Sequence, residues 1–250
     1  NPWVYNPAKV ADKPFTQLGI SYRQQWLGIQ GALSRLRLDL QGNVGKNFRL
    51  GGMVQQISEG PFQEIEAILV PAYALKLREE NYAINFGLSL GIGNRMVNMS
   101  KFSDPNDPGL IGLPNAKTYV MGGFGIDIIL NNLEIGAAIP HFIRDERTST
   151  ENFVSPSIDS LSFFLATMGY HFKMQGNIMI SPEIIYHFDN GFESSQFEIL
   201  TTITYNQKVW GGISYRQAYG GSVLAGINLR KYFDISYIFT VPSLGAITNR

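Results

Sequence analysis

Apolar side chains alternate with small or polar ones along this chain, over stretches longer than most strands of water-soluble proteins. Residues 82–93 are the clearest case. One face is Tyr82, Ile84, Phe86, Leu88, Leu90 and Ile92; the other is Ala83, Asn85, Gly87, Ser89, Gly91 and Gly93. A strand sends successive side chains to opposite faces, so the segment has one greasy face and one small polar face. Residues 178–189 repeat this, with Ile178, Ile180, Ile184, Tyr186 and Phe188 against Ser181, Glu183, His187 and Asp189. Residues 32–40 do so with Leu36, Leu38 and Leu40 against Arg35, Arg37 and Asp39. Read throughout, the pattern gives about thirteen strands. They fall at 15–24, 30–40, 46–58, 63–78, 82–97, 117–130, 133–143, 159–173, 177–189, 195–206, 208–218, 222–232 and 234–243. Residues 159–173 are less clean, being apolar on both faces around Phe163, Phe164 and Leu165. No stretch longer than one turn reads better as a helix.

Strand length and loop asymmetry narrow the fold. Soluble strands cluster near five or six residues, whereas a tilted membrane strand needs about 9–11. Short turns fall at 40–46, 79–81, 131–132, 174–177, 206–208 and near Phe233. Longer loops at 98–116 and 144–158, and a moderate one at 189–195, all fall on the other side of an up-and-down meander. Short turns at one end and long loops at the other characterise outer-membrane barrels.

The competing architecture is a soluble sandwich or lipocalin-like barrel, whose outer face would be charged. Here only 16% of residues are charged, against about 25% in soluble domains. Those charges share a face with Gly, Ser and Asn, opposite the aliphatic and aromatic face. In a membrane barrel the first face lines the lumen and the second meets lipid. An even balance of charge, 20 basic and 20 acidic residues, suits a lumen in which opposite signs neutralise one another. It argues against nucleic-acid binding, which favours a basic surface. With no cysteine, disulfide scaffolds, zinc–cysteine sites, iron–sulfur clusters and thiol nucleophiles are excluded. No run of about 20 apolar residues could form a membrane helix, and residues 1–5 have no signal-peptide character.

Parity adds an expectation. Single-chain bacterial barrels have even strand numbers. A count of thirteen, ending just after a loop-like 242–246, predicts a barrel of about fourteen strands whose last strand is absent from this sequence.

Candidate chemistry is thin. His141 follows Pro140, with no serine or acid placed beside it as in barrel phospholipases. His187, two residues from Asp189 and four from Glu183, is the best candidate general base; a lumenal polar network is the plainer account of it. His171 falls on a face read as apolar. Glu64 and Glu66, and Glu79 and Glu80, read as salt-bridged lumen or rim residues. Asp104-Pro-Asn-Asp-Pro-Gly109 offers three oxygen side chains for a weak Ca2+ site, but Asp-Pro and Pro-Gly are first of all turn formers. Gly91-Ile-Gly93 and Gly122-Gly-Phe-Gly125 lie inside strands and open no helix, so they are not phosphate loops; glycine there relieves crowding or permits bends. No cofactor and no metal is expected.

One short echo, Ile20-Ser-Tyr-Arg-Gln24 and Ile213-Ser-Tyr-Arg-Gln217, is what two equivalent strands of a meander would share. The N-terminal stretch is more specific. Asn6-Pro7-Ala8 precedes a strand, followed by Tyr22-Arg23-Gln24-Gln25-Trp26 and Gly28-Ile29. This resembles the PorP/SprF family of type IX secretion system membrane proteins, whose mature chains open with Asn-Pro-Ala and then Tyr-Arg-x-Gln-Trp-x-Gly. Residues 119–127 with 133–141 are similar to the family's mid-chain hairpin. Trp210-Gly-Gly-Ile-Ser-Tyr-Arg216, Gly226 and Tyr237 are similar to its C-terminal strands. The departure is Lys9-Val10-Ala11, where the family has small residues and glycine. The family's precursors carry a signal peptide and end in a further strand, so the resemblance implies trimming at both ends.

The resemblance implies a non-enzymatic protein of the outer membrane of Bacteroidota. Its long loops would lie outside and its short turns in the periplasm. It would dock or anchor a secreted surface protein, such as a gliding adhesin, through a C-terminal sorting domain. Its partners would include other type IX components, among them the periplasmic ring, and outer-membrane lipid. Residues 1–14 would form an N-terminal periplasmic segment and 15–250 the barrel. Tyr22, Arg23, Gln25 and Trp26 rank first as partner-binding residues, with Asn6, Pro7, Ala8 and Gly28 as family-motif positions. Against this, Trp26 could belong to an interfacial aromatic belt and Arg23 to a lumenal ion pair. The alternative functions are a passive channel or hydrophobic-solute transporter, and a barrel hydrolase using His187.

Overall fold

The structure, a computed structural model, describes residues 2–12, 16–77, 81–102, 116–144, 163–189, 195–217, 219–229 and 233–243. Fourteen strand segments form one antiparallel sheet. They are β1 Gln17–Gln24, β2 Ser34–Asn43, β3 Phe48–Glu59, β4 Phe62–Lys76, β5 Tyr82–Val97, β6 Ala116–Leu130, β7 Leu133–Arg144, β8 Phe163–Tyr170, β9 Phe172–Met174, β10 Ile178–Asp189, β11 Gln196–Tyr205, β12 Val209–Arg216, β13 Gly220–Leu229 and β14 Phe233–Pro242. β8 and β9 both pair with β10, so they are one pass of chain broken at His171. The thirteen expected strands are therefore thirteen passes in up-and-down order. The His171 N–H still donates to the Asn132 carbonyl at 2.8 Å, and the register on β10 is the same on both sides of the break.

Two expectations differ in detail. Strand β2 begins at Ser34 rather than residue 30. Trp26, Gly28 and Gly31 adopt positive φ of 48°, 89° and 77°, which no strand tolerates, and this keeps residues 25–33 as a folded loop. The expectation of no helix beyond one turn is also corrected. Pro7–Asp12 is a six-residue 3-10 helix, preceded by a shorter one at Pro2–Val4. No helix among the described residues is long and apolar enough to cross a membrane.

The two faces sort as the alternation dictates. Outward residues are apolar and about half exposed, such as Leu38 at 49%, Val54 at 50% and Leu69 at 51%. Phe48, Tyr73 and Tyr205 stand towards one end of the strands, and Tyr22, Phe197 and Tyr215 towards the other. Soluble monomers rarely expose contiguous apolar patches beyond a few hundred Å². An aliphatic band flanked by aromatics is instead the lipid-facing belt of a membrane barrel. Inward, Asp39, Gln41, Arg49, Gln55, Asn85 and Asp127 are buried.

The sheet curls around its inward face. On a flat sheet, four strand steps from β3 to β7 at about 4.8 Å each would span roughly 19 Å. Yet adjacent residues of the N-terminal segment reach both, Val10 lying against Gly51 of β3 and Lys9 pairing with Glu134 of β7. Along the remaining seam the sheet is open, since β1 and β14 are not bonded to each other among the described residues. The reason is directional. Thirteen alternating passes leave β1 and β14 running the same way, so they cannot pair antiparallel like every other neighbour.

Candidate functional site

Residues 2–12 lie inside the curl. The Pro7–Asp12 helix packs on β3, β4, β5 and β6. Trp3, Val10 and Ala11 join Met53, Val70, Ala72 and Ala74 in a small apolar core. This core is unlike the rest of the polar lumen, because alanines and Val70 replace charges on the inward face of β4 just where the segment rests.

Glycines make the seat. A Cβ on Gly87 would overlap the Pro7 backbone, and one on Gly125 would overlap the Asn6 carboxamide. At Gly136 a Cβ would come within 2.9 Å of Asn6 Nδ2, and at Gly51 within 3.0 Å of Val10 Cγ2. Asn6 Nδ2 donates to the Ile126 carbonyl at 3.1 Å, and Asn6 Oδ1 accepts from the Ala8 N–H at 3.0 Å. Thus the Asn6-Pro7-Ala8 motif has a physical role: asparagine clasps the wall, proline lies on a glycine, and Ala8, fully buried, leaves no room for a larger side chain. Lys9 completes the clasp through ion pairs with Glu134 and with Asp127, the latter at 3.6 Å. The departure from the family pattern at Lys9-Val10-Ala11 therefore supplies both a charged and an apolar contact.

Above the segment, toward the end bearing residues 25–33 and 98–102, a hydrogen-bonded chain crosses the wall. Arg95 pairs with Glu64 at 3.3 Å. Tyr119 Oη lies against both Glu64 and Glu66, at 2.7 Å from the latter. Gln55 donates to Glu66 and accepts from Arg37 at 3.0 and 3.2 Å. Glu64 and Glu66 are thus lumen network residues, as the sequence indicates. A Cβ on Gly93 would overlap the Tyr119 ring, so this glycine makes room for it.

The histidines also join polar rows. His187 Nε2 faces Glu198 of β11 at 3.4 Å. His171, expected on an apolar face, points inward, because the alternation that buries Leu165 and Thr167 runs on through it in unchanged register. Its Nδ1 is 2.8 Å from Ser181 Oγ and its Nε2 is 3.6 Å from Glu134. That Ser–His–carboxylate row ties β7 to β10, with its carboxylate already held by Lys9. Loop 104–109, Glu79 and Glu80 lie outside the described residues, as do the side chains of His141 and Asp189.

The loop-side motif is brought together only in part. Tyr22 points outward and is 65% exposed, and its hydroxyl donates to Gln24 Oε1 at 3.2 Å. Arg23 points inward, opposite Arg35. The Gln25 N–H closes the loop onto the Leu33 carbonyl at 2.9 Å. Trp26 turns the chain in left-handed backbone, and Gly28 continues the turn. Leu27 and Ile29, which sequence reasoning passed over, stand exposed at 73% and 60%. Their position on either side of Gly28, just before Gly31, was the available signal.

The family described as type IX secretion system membrane protein PorP/SprF matches residues 1–249. The chain belongs to the PorP/SprF family. The matched span includes both the seated Asn6-Pro7-Ala8 motif and the loop-side motif. Among solved structures, the PorP/SprF chain is similar in outline to outer membrane phospholipase A from Escherichia coli. The identity is 14%, covering 86% of this chain and 90% of that one, with a TM-score of 0.44. It is also similar to the Salmonella typhi outer membrane phospholipase dimer with bound calcium, at 15% identity, 82% of each chain and a TM-score of 0.42. Neither likeness bears on its chemistry. No curated protein matches it.

Proposed function

We propose that this PorP/SprF protein is a non-enzymatic barrel of the outer membrane. It docks a secreted surface protein, through that protein's C-terminal sorting domain, at the mouth bearing residues 25–33 and 98–102. Family membership supports a place in type IX secretion. The observation that carries the docking reading is the seated N-terminal segment. A conduit for protein needs a clear lumen, and residues 2–12 occupy part of this one on a seat shaped for them. The rims and loops are left as the working surface, and partner interfaces favour aromatic and arginine anchors. Tyr22, Arg23, Gln25 and Trp26 are the first candidates, with Leu27 and Ile29 beside them. Purification from native outer membrane tests the reading: a large surface protein bearing a C-terminal sorting domain should co-purify, and should be lost when loop 25–33 is replaced.

A passive channel remains the competing reading, favoured by one observation. The inward face of β12 to β14, with Ser214, Ser222 and Thr240, lies apart from the β3–β6 wall on which the Pro7–Asp12 helix packs. Conductance in planar bilayers separates the two readings. A steadily open pore with no bound protein refutes docking.

A further inference from the structure

Two strands of the sheet carry the same Ile-Ser-Tyr-Arg-Gln sequence, and their arginines meet different fates. β1 and β12 run in the same direction and place the arginine inward near the loop-bearing mouth. Arg216 is fully engaged. Its Nε donates to Gln196 Oε1 at 3.1 Å, its guanidinium stacks on the Tyr219 ring at 4.3 Å, and its register neighbour is Glu198. Among the described residues Arg23 has none of this. Its direct neighbour across the sheet is Arg35.

Like charges directly opposite one another destabilise a sheet. Arg37, the next inward residue of β2, adds to the repulsion against Arg35, although Gln55 occupies its own donors. Arg35 Nε is shut off from solvent and has no hydrogen-bond partner. Glu59, at the rim of the adjoining β3, forms no ion pair with either arginine among the described residues. A desolvated guanidinium N–H without an acceptor is costly, and planar guanidinium forks match the two oxygens of a carboxylate or phosphate.

We infer that Arg23 and Arg35 form an oxyanion site at the loop-side mouth, and that its occupant is an acidic side chain of a docked protein segment. Both arginines are on the inward face, away from the belt that meets lipid, so a bilayer headgroup is not placed to reach them. The adjoining loop carries exposed Leu27 and Ile29, which suits a polypeptide better than a free ion. This inference rests on the docking reading and gives it a chemical contact.

The test uses the full chain in detergent at low salt, with a fluorescent hexaglutamate peptide and, separately, inorganic phosphate. Binding of the peptide is expected, weakened about tenfold or more by Arg35→Gln or Arg23→Gln, the scale of one charge-assisted contact. Arg216→Gln should leave it unchanged. Arg35→Lys keeps the charge but loses the fork, and gives an intermediate loss even if the glutamine variants fold poorly. Peptide binding that ignores all Arg23 and Arg35 substitutions overturns the site. Phosphate binding without peptide binding overturns the occupant. A wild-type protein that co-purifies a surface protein yet fails to bind peptide refutes the site alone. Peptide binding without any co-purifying protein refutes the docking reading instead.

Discussion

Gly87→Ala should unseat the N-terminal segment while leaving the sheet intact. The new carbon would fall inside the Pro7 backbone, where carbon atoms need about 3.5–4.0 Å, and a backbone cannot rotate away as a side chain would. The segment must lift, which breaks the Asn6–Ile126 hydrogen bond of 3.1 Å, worth about 1 kcal/mol. Lifting also draws Lys9 from Asp127, whose side chain is 0% exposed. Breaking a buried ion pair costs about 3–5 kcal/mol, and relaxation into the watery lumen lowers that figure. A net loss of about 3 kcal/mol raises the released population roughly 150-fold. Lys9 is a trypsin site, and cleavage tracks the open population when reclosing is fast. Mass spectrometry should therefore show cleavage after Lys9 accelerating by about two orders of magnitude in the variant. Gly169→Ala, whose new carbon meets nothing nearer than 3.6 Å, serves as the control. If Gly87→Ala protects Lys9 as well as the wild type does, in a barrel shown to be folded, the seat is not what holds the segment.

Four further outcomes follow from the same geometry. Cysteines at Val10 and Gly51 should form a disulfide, because a Cβ at position 51 lies 3.0 Å from Val10 Cγ2 and bridged Cβ atoms sit about 3.5–4.5 Å apart; oxidation should abolish tryptic release, and a reductant should restore it. Lys9→Ala should destabilise more than Lys9→Ala combined with Asp127→Asn, since the single change strands a buried carboxylate; urea unfolding in detergent reads the order. Tyr119→Phe should cost about 1–3 kcal/mol in the same assay by removing the hydroxyl between Glu64 and Glu66. Leu90→Arg, on the outward belt, should cost about 2–4 kcal/mol of folding into bilayers, whereas Ser222→Arg, facing inward, should cost far less; equal costs would contradict the assignment of faces.

Strand positions and faces were legible because alternation is a local signal and lipid on one side makes it nearly uninterrupted. Residues 82–97 were read to the residue. The break at His171 was not, because the register and the alternation run through it unchanged and hydropathy carries no mark of it. The seat was half legible. Gly125 was read as relieving crowding or permitting a bend and Gly87 only as part of a small polar face, and nothing local says that what lies against them is Asn6 and Pro7, more than seventy residues away. Trp3 and Val10 gave a weaker hint, as apolar residues with no alternation around them. At the mouth, Arg23 was picked out by its motif, while its pairing with Arg35 needed the register of β1 on β2.

The measurement closest to the central claim is purification of this protein from native outer membrane, with bound proteins identified by mass spectrometry and the same sample reconstituted for conductance. A docking barrel with a seated N-terminal segment predicts a co-purifying surface protein with a C-terminal sorting domain and little steady current. A protein that comes through alone and holds a steadily open pore contradicts it.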